Sequence, residues 1–501
     1  MRKIILLSFL TFSMFVQAQN KNKLHDQNFW KSNPTLEAVK TEISNGSHPS
    51  EMNTMDFDAV ALAINNNASN DIIKYLLTFE GNSVTKKTNH SRTYLHWATS
   101  RGNAEIVAHL ILLGADINAQ DSHFDTPLVF GVNAGMYQPE VFEVYAKKGV
   151  DLTQRNKNGA TFMMLVAPYD TEFSATDYLA KKGLSLKDTD QNGATVFDYA
   201  ARTGNIATLK ALLKKGVKPT GQALVMAAQG TRRAANTLEV YKYLIEELKL
   251  NAKTTDSDGN SLLHLIARKQ NQTDVAEYLF SKGLNVNSTN KEGSNVLLVA
   301  AGGRDMDFIH LVLGKTTNIN ATNQKGESAL TSAVTSGISE TVELLLSKNA
   351  DIQVKDVRGN HLGLYLIQSY RPVRVGFGPA GTAPAKDEFS EKMNILQAKG
   401  LNLAVPQADK NTLYHLAAQK DDLNLFKKLA GLHIDVNAKN AEEMTVLHKV
   451  ALTAHDDKIL KYLLSIGAKK EIETEFGETA YDLAAQNEYL KNNKVDISFL
   501  K

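Results

Sequence analysis

Thirteen histidines and no cysteine limit the side chains from which this 501-residue chain could build a reactive centre. Four of the histidines stand in one local context. TYLHWATSR holds His96, SLLHLIARK holds His264, TLYHLAAQK holds His415 and TVLHKVALT holds His448. An imidazole in an apolar helical run is a ligand, a base or part of the frame, and its two ring nitrogens must be satisfied in any of these roles. His90, His123 and His310 lie outside that context, and none shows H-E-x-x-H or H-x3-H spacing. Without cysteine no thiolate zinc set can form. G-x-S-x-G and G-x-x-x-x-G-K-[ST] are both absent, which removes the nucleophile elbow and the phosphate loop. Gly376-Phe377-Gly378-Pro379-Ala380-Gly381 formally satisfies G-x-G-x-x-G. A dinucleotide fingerprint must open a helix, and Pro379 followed by Pro384 argues against one. The expectation is no catalytic residue, no cofactor and no metal.

The four histidines share their context because the chain repeats. An apolar helix ends at a polar turn, a second apolar helix follows, and then come a glycine and a short polar loop. Loop glycines Gly159, Gly193, Gly259, Gly293, Gly326, Gly359 and Gly477 are spaced 34, 66, 34, 33, 33 and 118 residues apart. The spacing of 66 is two periods, and 118 is three periods plus an insertion. Ser91, Phe124, Lys410 and Glu443 take the same place in copies without the glycine. Two residues on stand Thr93, Thr126, Thr161, Thr195, Ser261, Asn295, Ser328, Thr412, Thr445 and Thr479, all good N-caps. Five residues on stand the histidines, or else Val129, Met164, Asp198, Leu298, Thr331, Leu364 or Asp482. Glycines such as Gly114, Gly149, Gly183, Gly283 and Gly467 suit the left-handed end of the second helix. Alanine pairs such as Ala300-Ala301 and Ala417-Ala418 keep the first helix slim, and Val342–Leu346 supplies a buried stripe for a second helix.

With Thr126-Pro127-Leu128, the four histidines and Gly114-Ala115-Asp116-Ile117-Asn118, the chain resembles the ankyrin-repeat family over residues 56–490. The resemblance implies an all-α solenoid of about twelve helix-turn-helix repeats with short β-turn fingers. It also implies that the histidines form a ladder of hydrogen bonds between neighbouring repeats, and that Trp97 belongs to the core. At ~10 Å between packed helices the body would be on the order of 120 Å long. No repeat buries its faces alone, so the ends need polar caps. Residues 19–55 are expected to cap the N-terminal end around PTLEAVKTEISNG. The repeats run over 56–475, and residues 476–501 form a C-terminal partial repeat and cap.

Residues 1–18 read as a secretory signal peptide: Arg2 and Lys3, an apolar run from Ile4 to Val16, and cleavage after Ala18. Removing them leaves 54 basic against 54 acidic residues, which argues against a nucleic-acid partner. No later run is long enough to span a bilayer, and the absence of cysteine leaves no lipid-anchoring site. The expectation is an exported, periplasmic monomer without membrane insertion. Its inferred role is a scaffold for protein partners, possessing no enzyme activity, and an accessory or protective factor for an envelope protein. The alternatives are a secreted effector that binds a host or competitor protein, and an enzyme with a site at the insertion.

Partner-binding residues are expected where the repeats depart from their rule. The repeat at Gly359 carries His361 at its N-cap place and an insertion over 370–388 with Tyr370, Arg371, Arg374 and Phe377. Tyr and Arg are frequent interface anchors, and long loops are often functional. The turn GVKPTGQAL has lost about six residues, a missing finger near Pro219, and QGTRRAANT has gained as many, placing Arg232 and Arg233 on another edge. Tyr137 and Tyr169, in the inter-helix loops of adjacent repeats, are expected to share one edge.

Overall fold

The structure, a computed structural model, describes residues 22–231, 234–372 and 386–501. It divides into two compact units, Met1–Ala223 and Leu224–Lys501. In the first unit the helices Gln27–Lys31 and Leu36–Ser44 bury Trp30 and Val39. Helix pairs follow at Ala59–Asn65 and Asn70–Leu76, Tyr94–Ser100 and Ala104–Leu112, and Pro127–Asn133 and Pro139–Lys147. Two more stand at Phe162–Val166 and Ser174–Lys181, and at Val196–Ala200 and Ile206–Lys214. The second unit continues the pattern from Leu262–Ile266 with Thr273–Ser281 to Ala480–Gln486 with Glu488–Asn492. Before it, the helix Leu238–Lys242 runs on into a π-helical turn, Tyr243–Glu247. The described residues hold no strand, only isolated bridges such as Thr189 with Thr195 at the base of a finger.

The two helices of a repeat differ because their surroundings differ. Tyr94–Ser100 lies between Ala59–Asn65 and Pro127–Asn133, so Tyr94 through Thr99 are all buried. Its partner Ala104–Leu112 buries only Ile106, Val107 and Leu110, a stripe at helical spacing with the rest left toward solvent. Each buried aliphatic side chain contributes about 1.5–3 kcal/mol, and much of it is realised only when the next repeat is in place. All ten anticipated N-caps occupy that position with extended backbone.

The fingers explain the period. Every residue at the register position has positive φ, from Ser91 at 59° and Phe124 at 64° to Glu443 at 54° and Gly477 at 74°. Glycine takes this conformation freely, whereas Ser91, Phe124, Lys410 and Glu443 each pay about 1–2 kcal/mol for it. Three residues earlier an Asp or Asn closes most of these turns, with Thr88, Gln407 and Thr474 in that place in the remainder. Oδ1 of Asp121 accepts the amides of His123 and Asp125 at 2.8 and 3.1 Å. Asn156, Asp190, Asp256, Asn290, Asn323, Asp356 and Asn440 do the same. Adjacent fingers are joined by single bonds, such as Ser122 N–H to His90 O at 2.9 Å and Gln324 N–H to Glu292 O at 2.9 Å.

Both irregularities have a structural solution. At the lost finger, residues 215–221 alone connect one helix to the next. Asp198, at the histidine position, bridges the gap by accepting from the Thr220 amide at 2.8 Å and hydroxyl at 2.7 Å. At the insertion the two flanks meet, because the Tyr370 and Phe389 rings pack edge to face at 5.3 Å. Glu388 accepts the Ser339 amide at 2.7 Å, Lys386 pairs with Glu340 at 2.7 Å, and Lys428 pairs with Asp387.

Candidate interaction surface

The ladder histidines are held as frame. In each, Nδ1 accepts the amide of the helix N-cap: Thr93 to His96 at 3.2 Å, Ser261 to His264 at 3.2 Å, Thr412 to His415 at 3.2 Å and Thr445 to His448 at 3.0 Å. A nitrogen that accepts from an amide carries no proton, so Nε2 carries it and donates. Nε2 reaches a carbonyl of the following finger: Asp125 at 3.2 Å, Ser294 at 3.0 Å, Met444 at 3.0 Å and Ile472 at 2.9 Å. Burial holds all four imidazoles below the ordinary histidine pKa, and so neutral. A side chain with both nitrogens committed to backbone is not placed to act as a base or ligand. Trp97 is 8 % exposed, and its indole N–H donates to Thr88 Oγ1 at 2.8 Å.

His361 does the same work from a different place. From the N-cap position its Nδ1 accepts the Gly363 amide at 3.0 Å, and Nε2 bonds the Val405 carbonyl at 3.0 Å across the insertion. The apparent break in the ladder is therefore filled by a fifth bridging imidazole, three residues early. In sequence His361 stands out only as an irregularity, since its partner lies 44 residues away.

The anticipated partner-binding residues have separate fates. Arg374 and Phe377 in the insertion, and Arg232 and Arg233, lie outside the described residues. Tyr370 corrects the expectation of an exposed anchor: it is 2 % exposed, and its hydroxyl donates to Asp422 at 2.9 Å. The ring is needed where the insertion leaves the stack, to seal the gap against Phe389. Arg371 is exposed and donates to the carbonyls of Gln368 and Tyr370, at 2.7 and 2.9 Å, at the end of its helix. Tyr137 and Tyr169 are half-buried, and the Tyr169 ring lies over Gly135 in the loop that carries Tyr137.

Close to the insertion stands a group that the sequence did not flag. Lys392 is 2 % exposed, forms no ion pair with a described carboxylate, and donates to the Val334 carbonyl at 3.0 Å. Burial pushes its ammonium down to about 8; Glu388 offsets this in part, while Arg304 and Arg371 add repulsion.

Apolar side chains reach solvent on the face made by first helices and fingers, and at the ends of second helices, as at Leu112, 78 % exposed. A shallow cavity of about 220 Å³ lies between Leu413–Ala418 and Val446–Thr453. Ala418, Met444 and Leu452 line it, with Leu452 43 % exposed, and Glu442 and Lys449 form an ion pair of 3.1 Å beside them. Phe124 and Phe476, each 79 % exposed, stand at fingertips. Among the described residues no group of three or more His, Cys, Asp or Glu is placed to hold a metal ion, and no helix is long and apolar enough to cross a membrane.

A family model described as ankyrin repeats (3 copies) matches residues 30–121, 132–223, 263–356 and 414–495, well over half of the chain. The chain belongs to the ankyrin-repeat family. Its longest unmatched internal stretches, 224–262 and 357–413, contain the two irregular ankyrin repeats. Among solved structures it is similar to the human ASB11 ankyrin repeat domain, with 22% identity and a TM-score of 0.36, covering 46% of this chain and 96% of that one. The ankyrin repeat domain of Bcl-3 is similar at 18% identity and a TM-score of 0.33, covering 55% of this chain and 99% of that one. Ankyrin repeats are in general scaffolds for protein–protein interaction, and the ankyrin fold here is an all-helical solenoid.

Proposed function

We propose that the protein is an exported, non-catalytic scaffold that captures a partner protein on its first-helix and finger face. The periplasm is its proposed location, and holding or protecting an envelope protein its proposed role. The observation that carries this reading is the cleft at Met444 and Leu452, an apolar floor beside the Glu442–Lys449 ion pair. Such a site suits an apolar side chain with polar neighbours, the usual anatomy of a small interface anchor point. The buried histidines support it from the other side, since the side chains best suited to chemistry are tied into the frame. Export rests on residues 1–18, which lie outside the described residues.

The test is capture by tagged protein from the envelope fraction. Leu452→Asp should lose the partner that wild type retains, with an unchanged melting profile, because Leu452 is already 43 % exposed. Ile466→Asp, at the end of a second helix, brings the same charge to a position 37 % exposed and should retain the partner. Equal capture by both variants would refute the cleft as the contact. Cell fractionation tests location separately, and protein found only in the medium would favour a released effector.

A further inference from the structure

Two of the histidines that frame the first fingers have no structural duty, and they are the ones that meet. His90 and His123 occupy equivalent places in adjacent fingers, each immediately before the left-handed register residue, Ser91 or Phe124. Both are exposed, and their ring centroids lie 5.2 Å apart with planes tilted by 37°. Neither imidazole is hydrogen-bonded to any described residue, in contrast to the five bridging histidines, whose rings are tied at both nitrogens. The backbone beneath them is firmly set. Ser122 N–H bonds the His90 carbonyl at 2.9 Å, Asn89 N–H bonds Asp56 O at 2.8 Å, and the His123 amide is held by Asp121 at 2.8 Å. His90 itself adopts φ 58°, next to Ser91 at 59°, two consecutive left-handed residues that only a well-braced turn sustains. At the same place other fingers carry Asn158, Asn192, Asp258, Glu292, Lys325 or Arg358, so the juxtaposed imidazoles are peculiar to this pair.

We propose that His90 and His123 together bind one divalent late transition-metal ion, with Cu2+ held most tightly. A metal–nitrogen bond of about 2.0–2.1 Å puts each ring centre about 3.2 Å from the ion, and bond angles between square and tetrahedral then separate two rings by about 4.5–5.2 Å. The observed 5.2 Å falls at the tetrahedral end of that range. Imidazole suits copper, nickel and zinc, and at a site of this kind affinity rises to copper along the divalent series. No third described ligand completes the sphere, so water fills the remaining positions and the site stays open and exchangeable. Bound metal would clip the two fingers together at the tips and leave a coordination position facing outward.

The experiment is equilibrium titration of the full metal-free chain with CuCl2 and ZnCl2, followed by calorimetry, with copper EPR on the one-equivalent complex. Wild type should show one saturable site, tighter for Cu2+ than for Zn2+, with two nitrogen donors in the copper spectrum. His90→Gln or His123→Gln should weaken it by at least the roughly tenfold that even loss of an outer-shell partner costs, and the double variant should abolish it. His109→Gln, on the outer helix Ala104–Leu112, should leave it unchanged. Circular dichroism of the finger variants should match wild type, since neither ring supports the fold. Binding insensitive to both finger substitutions, or no saturable site at all, would overturn the proposal.

Discussion

Replacing the buried Lys392 by Met should make the protein more stable at neutral pH, and that gain should vanish as the pH rises. The ammonium is pushed from 10.5 down to about 8, and at about 1.4 kcal/mol per pKa unit this sets on the order of 3 kcal/mol against folding at pH 7. Its bond to the Val334 carbonyl returns about 1 kcal/mol. Methionine nearly conserves the volume, so Lys392→Met should be about 2 kcal/mol more stable at pH 7. The sign follows from the direction of the shift. A lysine whose folded pKa is depressed opposes folding while protonated, and it ceases to do so as pH rises through the folded value toward the unfolded one. Wild type should therefore gain about 2 kcal/mol from this group between pH 7 and 9.5, and the variant nothing. Paired thermal melts across that range isolate the effect, since every other titrating group is common to both proteins. Hydrogen exchange in the helix Glu388–Ala398 should show the same convergence locally. A gap that does not change with pH, or a variant less stable at pH 7, would refute the argument.

His264→Ala should destabilise by about 2–4 kcal/mol, because it leaves the Ser261 amide and the Ser294 carbonyl unpaired and opens a cavity. His264→Asp should recover part of that, as Asp482 caps Thr479 in the same manner, with denaturant midpoints ranking the three proteins. The neutral, buried imidazoles have folded pKa values below 6.5, so their contribution is complete above that pH and is lost as pH falls from it; wild-type melting points should drop steeply below pH 6 on the way down, and less steeply in His264→Ala. At Gly337 an added methyl would lie 2.2 Å from the Ala301 carbonyl oxygen and 3.0 Å from the Ala333 Cα, backbone atoms that cannot rotate away, so Gly337→Ala should cost about 1–3 kcal/mol in a melting experiment. Replacing residues 373–385 by a short glycine–serine linker should shift the midpoint by less than about 1 kcal/mol. Extending the deletion through Glu388 should cost clearly more, because it removes the contacts with Ser339, Glu340 and Lys428.

Much of the frame was legible because it is local. A cap and the amides it serves lie within three residues, so Thr93, Ser261 and Thr445 announce their helices regardless of what packs on them. The left-handed turn likewise writes itself as glycine, and the period then identifies Ser91, Phe124, Lys410 and Glu443 as substitutes. Partner-facing residues were less legible, because exposure is a property of neighbours. Tyr370 has the composition of an anchor and the environment of a core residue, since Phe389 and Asp422 come to it from beyond the insertion. Lys392 carried no signal at all: in sequence it is an ordinary helical lysine, and only the approach of Val334 from another repeat makes it a buried charge.

By itself, then, the sequence determined the repeat, its register, the capped helices and the compensated length changes, all of which follow from backbone preferences acting over a few residues. The tertiary structure decided the proton on each ladder histidine, the substitution of His361 and Asp198 where the pattern fails, and the pairing of His90 with His123. These depend on which atoms meet across a repeat boundary, some 22 to 44 residues away along the chain. Short-range chemistry sets where a side chain starts, and packing against the next repeat sets what it can do.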